Sequence, residues 1–360
     1  MQACFRTTSL KPYRIPARWE QVTPQWMTAA IASRHPDARV DTVTLVTQDD
    51  GTNRRARFQL SYSAGRGPES VFLKAHAARH RWVHLRNGNL FNEARLFAAS
   101  VPLACEHPLV YRSIVDVLRL DFLLVMEDLI KRGADPRDAT RPMNVEQVER
   151  GIRGLARLHS QYWGLSARTH SKLRFVKTWK PSQGWQVGLK ARIPLGLERA
   201  AQALPAEVAR LKAGAIVSFW TRYVASLTDG PMTLLHGDAH IGNTYVLPDG
   251  DVGFLDWQVV RRGGWSQDVG YFLISALTEV DRRAHERSLL EEYRRTLEVP
   301  AGERPSAQAV WERYRATPAY GLAIWLSTLG TEGYQSQEVS MTLSQRFASA
   351  FLELHTLSAL

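Results

Sequence analysis

Two stretches decide the reading of this chain: His236-Gly237-Asp238-Ala239-His240-Ile241-Gly242-Asn243 and, a little further on, Val252-Gly253-Phe254-Leu255-Asp256-Trp257-Gln258. The first follows an apolar run, residues 232–235, that reads as a strand. Between the two stretches lies Pro248-Asp249-Gly250, a hairpin signal that folds the second back beside the first. Asp238 and Asn243 are five positions apart, and Asp256 is thirteen further on. Together they offer two carboxylates and an amide oxygen. These are hard donors, the kind a magnesium ion takes alongside phosphate oxygens. Asp256 and Asn243 suit the metal, which leaves Asp238 free to accept or orient a hydroxyl proton. Gly237 and Gly242 permit the tight loop this needs.

Working outward, residues 40–46, 57–63 and 70–75 alternate as strands do, and 49–51 and 64–68 hold turn formers between them. Residues 23–35 read as a helix capped by Thr23 with Pro24 in its first turn. A helical stretch at 89–100 and two more strand-like runs, 109–118 and 122–126, lead to Glu127-Asp128-Leu129. From Asn144 the period becomes helical, with Val145, Val148, Ile152, Leu155, Leu158 and His159 on one face. Another helix is expected over 205–227. A β-rich first third thus precedes an α-rich remainder. The expectation is an α+β chain with an N-terminal lobe over 1–128 and a helical C-terminal lobe over 129–360.

The motif His236 to Asn243 with Leu255-Asp256-Trp257 resembles the phosphotransferase family of aminoglycoside, choline and ecdysteroid-type kinases, over roughly residues 40–268. The resemblance implies a two-lobed, protein-kinase-like fold and an ATP- and Mg2+-dependent kinase acting on a hydroxyl group of a small molecule. It implies Asp238 as the catalytic base, Asn243 and Asp256 as metal ligands, and Asp268 as the residue bracing the catalytic loop. His236 is expected to be structural. Lys74, in a strand-like run, matches the lysine that meets the α- and β-phosphates, with Glu93 as its partner. The run ending Glu127-Asp128-Leu129 resembles the hinge whose backbone receives adenine. Residues 49–54, with Gly51 and Thr52, would cover the phosphates, although the glycine-rich pattern of protein kinases is missing. Only eleven residues separate Asp256 from Asp268, too few for a peptide-binding activation segment. That favours a small acceptor. Taken singly, each residue has a plainer role: a strand lysine is usually solvated, and an aspartate in a turn usually caps it. Their joint order is what points to chemistry.

The remaining features narrow the classes. The 360 residues carry a net charge of +11, but the basic residues are scattered and no nucleic-acid-binding pattern is present. No window is apolar for long enough to span a membrane, and the first twenty residues hold Arg6, Lys11, Arg14 and Arg18 without a signal-peptide core. Two cysteines, Cys4 and Cys105, make no disulfide framework, so the cytoplasm is the expected location. Two other functions remain open. One is a silent nucleotide-binding scaffold. The other is a metal-dependent hydrolase, because His236, Asp238 and His240 alternate as zinc ligands can. The acceptor is expected to meet residues 162–199, where Trp163, Trp179 and Trp185 read as core or lid residues. That segment has eight lysines and arginines against one acid, Glu198, a poor match for a polycationic aminoglycoside.

Overall fold

The computed structural model describes residues 14–51, 53–77 and 88–360. Its internal contacts divide the chain into two units, Met1–Ala77 with Val110–Glu127, and Ala78–Leu109 with Asp128–Leu360.

The first unit is an antiparallel sheet with one helix. Helix α1 (Pro24–Ile31) begins as its sequence dictates: the Thr23 hydroxyl accepts the Trp26 N–H, and Pro24 sits where no backbone donor is needed. Strands β1 (Arg39–Asp50), β2 (Asn53–Ala64), β3 (Ser70–His76), β4 (Val110–Asp116) and β5 (Asp121–Glu127) pair in the order β1-β2-β3-β5-β4. In β2 the alternation is plain: Ala56, Phe58 and Leu60 are buried while Arg55, Gln59 and Ser61 are exposed. The central strands β3 and β5 are buried on both faces, which is why they read as nearly continuous apolar runs.

The second unit is mainly helical. It opens with α2 (Asn92–Ala98), continues through the two-residue strand β6 (Asp135–Pro136), and reaches α3 (Val145–Gln161). Asn144 and Gln147 cap α3 reciprocally, and Val148, Ile152, Leu155, Leu158 and His159 are buried along one stripe. Next come α4 (Gln183–Ala200), α5 (Ala206–Ala209) and α6 (Ala213–Ser226). Four short strands follow: β7 (Thr233–Leu235), β8 (Thr244–Val246), β9 (Val252–Phe254) and β10 (Arg261–Gly263). The chain then runs through α7 (Ser266–Ala276), α8 (Glu279–Thr296), α9 (Ala307–Ala316), α10 (Pro318–Leu329), α11 (Gln337–Glu353) and α12 (Thr356–Ala359). Every residue of α7 is buried, so it forms the axis of this unit, with other helices packed around it.

Two expectations need correction. The single helix expected over 205–227 is two, because Lys212 adopts an extended conformation and starts α6 afresh. The break lets Val208 and Ile216 both enter the core. The 18-residue helix α4 falls in the segment 162–199, for which no helix is expected, and it holds Gly184, Gly188, Pro194 and Gly196, residue types that weaken a helix. Tertiary packing explains the last of these: a Cβ on Gly196 would collide with the Leu326 carbonyl of α10. Its buried stripe is Leu189, Ile193, Gly196 and Ala200.

Candidate active site

Two strand pairings build the site. Strand β10 pairs antiparallel with β7, and β8 pairs with β9. The loop 236–243 leaves β7, and residues 255–260 return from β9 to β10. The two segments are therefore held side by side, joined also by the Leu255 N–H donating to the Asn243 carbonyl at 2.9 Å.

Asp268 anchors the first loop. It lies in the first turn of α7 and is wholly buried. One carboxylate oxygen accepts the His236 N–H at 2.7 Å and the other accepts the Gly237 N–H at 2.9 Å. Gly237 has φ +84, and a Cβ there would strike the Val259 carbonyl, so only glycine fits. His236 bridges the two segments. Its Nε2–H donates to the Leu255 carbonyl at 3.0 Å, and its Nδ1 accepts the Asp238 N–H at 3.3 Å. Further along, the Ile241 N–H donates to the Ser275 hydroxyl at 3.0 Å.

These bonds leave the functional side chains together. The Asn243 amide nitrogen donates to the Asp238 carbonyl at 2.9 Å and to its carboxylate at 3.2 Å. The Asn243 amide oxygen is thereby left as a hard donor, which fits a magnesium ligand. Asp256 adopts φ +64, a left-handed conformation that aspartate tolerates better than most residues. Its carboxylate is close enough to raise the Asp238 pKa. Desolvation, reinforced by Asp256 and Asp268 and opposed by the Asn243 amide, pushes Asp238 up to about 7. The side chain keeps 31% of its surface open, so solvent tempers that rise. A carboxylate near neutrality is well matched to accepting a proton at physiological pH. The oxygen donor set of Asn243 and Asp256 fits magnesium.

The turn after Asp256 has its own anchors, which sequence reasoning missed. The Trp257 N–H donates to Glu93 Oε1 at 3.2 Å, and the Asn92 side chain donates to the Gln258 carbonyl at 3.2 Å. Both anchors come from the first turn of α2. The signal was present as a polar pair opening a helix, but its partner lies more than 160 residues away.

The zinc reading fails on geometry. Both ring nitrogens of His236 are engaged with backbone. His240 Nδ1 accepts the Gly242 N–H at 3.0 Å, and the ring packs edge-on against Tyr271 and Trp325. Burial holds His240 down to about 3, so it is neutral. No group of three histidine, cysteine, aspartate or glutamate side chains that could hold a metal ion exists among the described residues.

The other expected residues fall in several places. Lys74 lies buried in mid-β3, in register with Arg55 and Leu124, and Glu127 ends β5 opposite Val71. Gly51 lies in the turn between β1 and β2, while Thr52 lies outside the described residues. Leu129 opens a turn capped by the Asp128 carboxylate and packs beside Ala134, Tyr245 and Leu247.

The family model for the ecdysteroid kinase-like family matches residues 115–300. The chain belongs to that family. No curated protein matches it. The fold of this ecdysteroid kinase-like chain is shared with solved phosphotransferases. A Ralstonia eutropha JMP134 protein, assigned as an aminoglycoside phosphotransferase, aligns at 16% identity over 92% of this chain and 96% of its own, with a TM-score of 0.54. Spectinomycin phosphotransferase, solved with ADP and spectinomycin, aligns at 15% identity over 92% and 98%, with a TM-score of 0.51. The α+β architecture is thus that of protein-kinase-like phosphotransferases, and no helix among the described residues is long and apolar enough to cross a membrane.

Proposed function

We propose that this chain is an ATP- and magnesium-dependent kinase that phosphorylates a hydroxyl group of a small molecule in the cytoplasm. The observation that carries the reading is the pairing of the Asn243 side chain with Asp238, together with the Leu255 N–H bond to the Asn243 carbonyl that brings Asp256 alongside, so that one amide oxygen and two carboxylates come from adjoining segments. Asp256 and Asn243 would hold the magnesium ion. When bound, magnesium neutralises phosphate charge. Asp238 accepts or orients the acceptor's hydroxyl proton, while Asp268 and His236 hold the loop. Lys74 takes the α- and β-phosphates with Glu93 as its partner, Gly51 and Thr52 belong to the loop over the phosphates, and the backbone from Glu127 to Leu129 receives adenine.

The acceptor is a neutral or anionic hydroxyl compound with an apolar body. The segment expected to meet the acceptor carries a groove of about 380 Å³ between α4 and α10. Trp185, Val187, Ile324 and Tyr334 line it with Arg192, and no carboxylate does. Two acids of the C-terminal helices are engaged elsewhere: Glu279 pairs with Arg283, and Asp281 accepts from the Thr278 hydroxyl.

The test is transfer of labelled γ-phosphate from ATP, and in parallel from GTP, to steroid, macrolide, sugar, amino-alcohol and kanamycin-type acceptors. Transfer to one of the first four classes, with a higher kcat/KM than any aminoglycoside, is expected. Nucleotide binding without transfer to any acceptor would favour the silent scaffold. An aminoglycoside that outperformed the rest would overturn the acceptor class.

A further inference from the structure

His159 enters the sequence reading only as a point on the apolar face of α3, yet both of its ring nitrogens are engaged in the core. Nδ1 lies 3.0 Å from the Tyr293 hydroxyl, and Nε2 lies 3.3 Å from Asp268 Oδ2. That same oxygen accepts the His236 N–H, and its twin accepts the Gly237 N–H. A continuous chain therefore runs from Tyr293 on α8, through His159 on α3 and Asp268 on α7, to the backbone just before Asp238. His159, Tyr293 and Asp268 are all fully buried.

The protons in this chain are determined by elimination. The Tyr293 hydroxyl has no other polar partner among the described residues. Burial and the Asp268 charge push its ionisation well above the ordinary tyrosine range, so it keeps its proton. If His159 carried its proton on Nδ1, the Tyr293 hydrogen would be buried without an acceptor, and a bare Nε2 lone pair would face the carboxylate. With the proton on Nε2, Tyr293 donates to Nδ1 and His159 donates to Asp268, and every group is satisfied.

We propose that Tyr293 is a positioning residue that acts through His159 and Asp268 to set where Asp238 stands. Tyr293 fixes His159 as its Nε2–H tautomer, and that proton holds the Asp268 carboxylate in the orientation from which it grips the two loop amides. Without it the carboxylate can turn about its side-chain bonds, and the loop amides lose aligned acceptors. The catalytic consequence rests on the kinase reading above; the structural part does not.

The experiment uses the full chain with His159→Leu, His159→Gln and Tyr293→Phe. Glutamine keeps a donor near Nε2, and leucine keeps only volume. Amide hydrogen exchange over residues 232–240 is measured beside kcat and KM for magnesium-ATP. His159→Leu is expected to speed exchange there and lower kcat by about 10- to 100-fold, the range for losing a supporting partner, with KM little changed. His159→Gln should recover most of both, and Tyr293→Phe should fall between wild type and His159→Leu. Wild-type exchange and kcat in a folded His159→Leu protein would overturn the proposal, as would equal losses in the leucine and glutamine variants. If His159→Leu does not fold, Tyr293→Phe decides: unchanged exchange and kcat sink the tautomer argument. If the wild-type protein transfers no phosphoryl group at all, the kinase reading falls, and the exchange comparison alone supports or overturns the positioning role.

Discussion

The loop 236–259 and the segment 162–199 both belong to the helical unit, but they are held in different ways. In the loop, backbone direction is set by named polar partners: Asp268, Ser275 and Glu93 each receive amide hydrogens from it. In the segment, apolar contact does most of the work. Trp179 is buried in the core with Arg261 over its ring, Trp185 stacks on Trp220, and α4 lies against α10 so closely that Gly196 admits no side chain. Hydrogen bonds specify atoms, whereas packing specifies volume. The loop should therefore be sensitive to isosteric changes that barely alter shape, and the segment to changes of size.

The largest expected effect tests the loop. Asp238→Asn preserves shape and removes the basic oxygen, so turnover should fall by about 10²- to 10⁴-fold while ATP affinity, read by calorimetry, stays near wild type. Full turnover under conditions where chemistry limits the rate would remove Asp238 from the mechanism and break the contrast. Asp256→Ala comes next. ATP should bind more tightly with magnesium than without it, and this variant should lose that advantage. Equal ATP affinity with and without the metal in the wild-type protein would refute the ligand assignment.

On the packing side, Gly196→Val should destabilise the chain by about 1–3 kcal/mol in denaturant unfolding, because the branched side chain must separate α4 from α10. An unchanged midpoint would mean that the two helices are not in the contact described. Lys190→Ala should be the mildest change, within about 0.5 kcal/mol, since Lys190 is exposed on α4. A large loss of stability there would show that the basic residues of the segment are structural after all.

Legibility followed the same division. Asp238, Asn243 and Asp256, the candidate site residues, stand out in the sequence because they fall within nineteen residues and their spacing alone constrains the loop. The strands were readable from alternation, and α3 from its apolar stripe. Helix α4 was not, because its glycines and Pro194 are local breakers, and the place of Gly196 is explained only by Leu326, about 130 residues away. Glu93 was read as a lysine's partner, and only the fold brought it to the Trp257 amide.

The sequence by itself determined the chemistry on offer at this site and the order of the elements that present it, because residue types and short spacings act over one or two turns of chain. Only the tertiary structure decided how that chemistry is held: which carboxylate grips the loop, which ring nitrogens are engaged, and which glycines serve as points of close approach. These are contacts between residues tens to hundreds of positions apart, and such pairings come into being only when the core closes around α7.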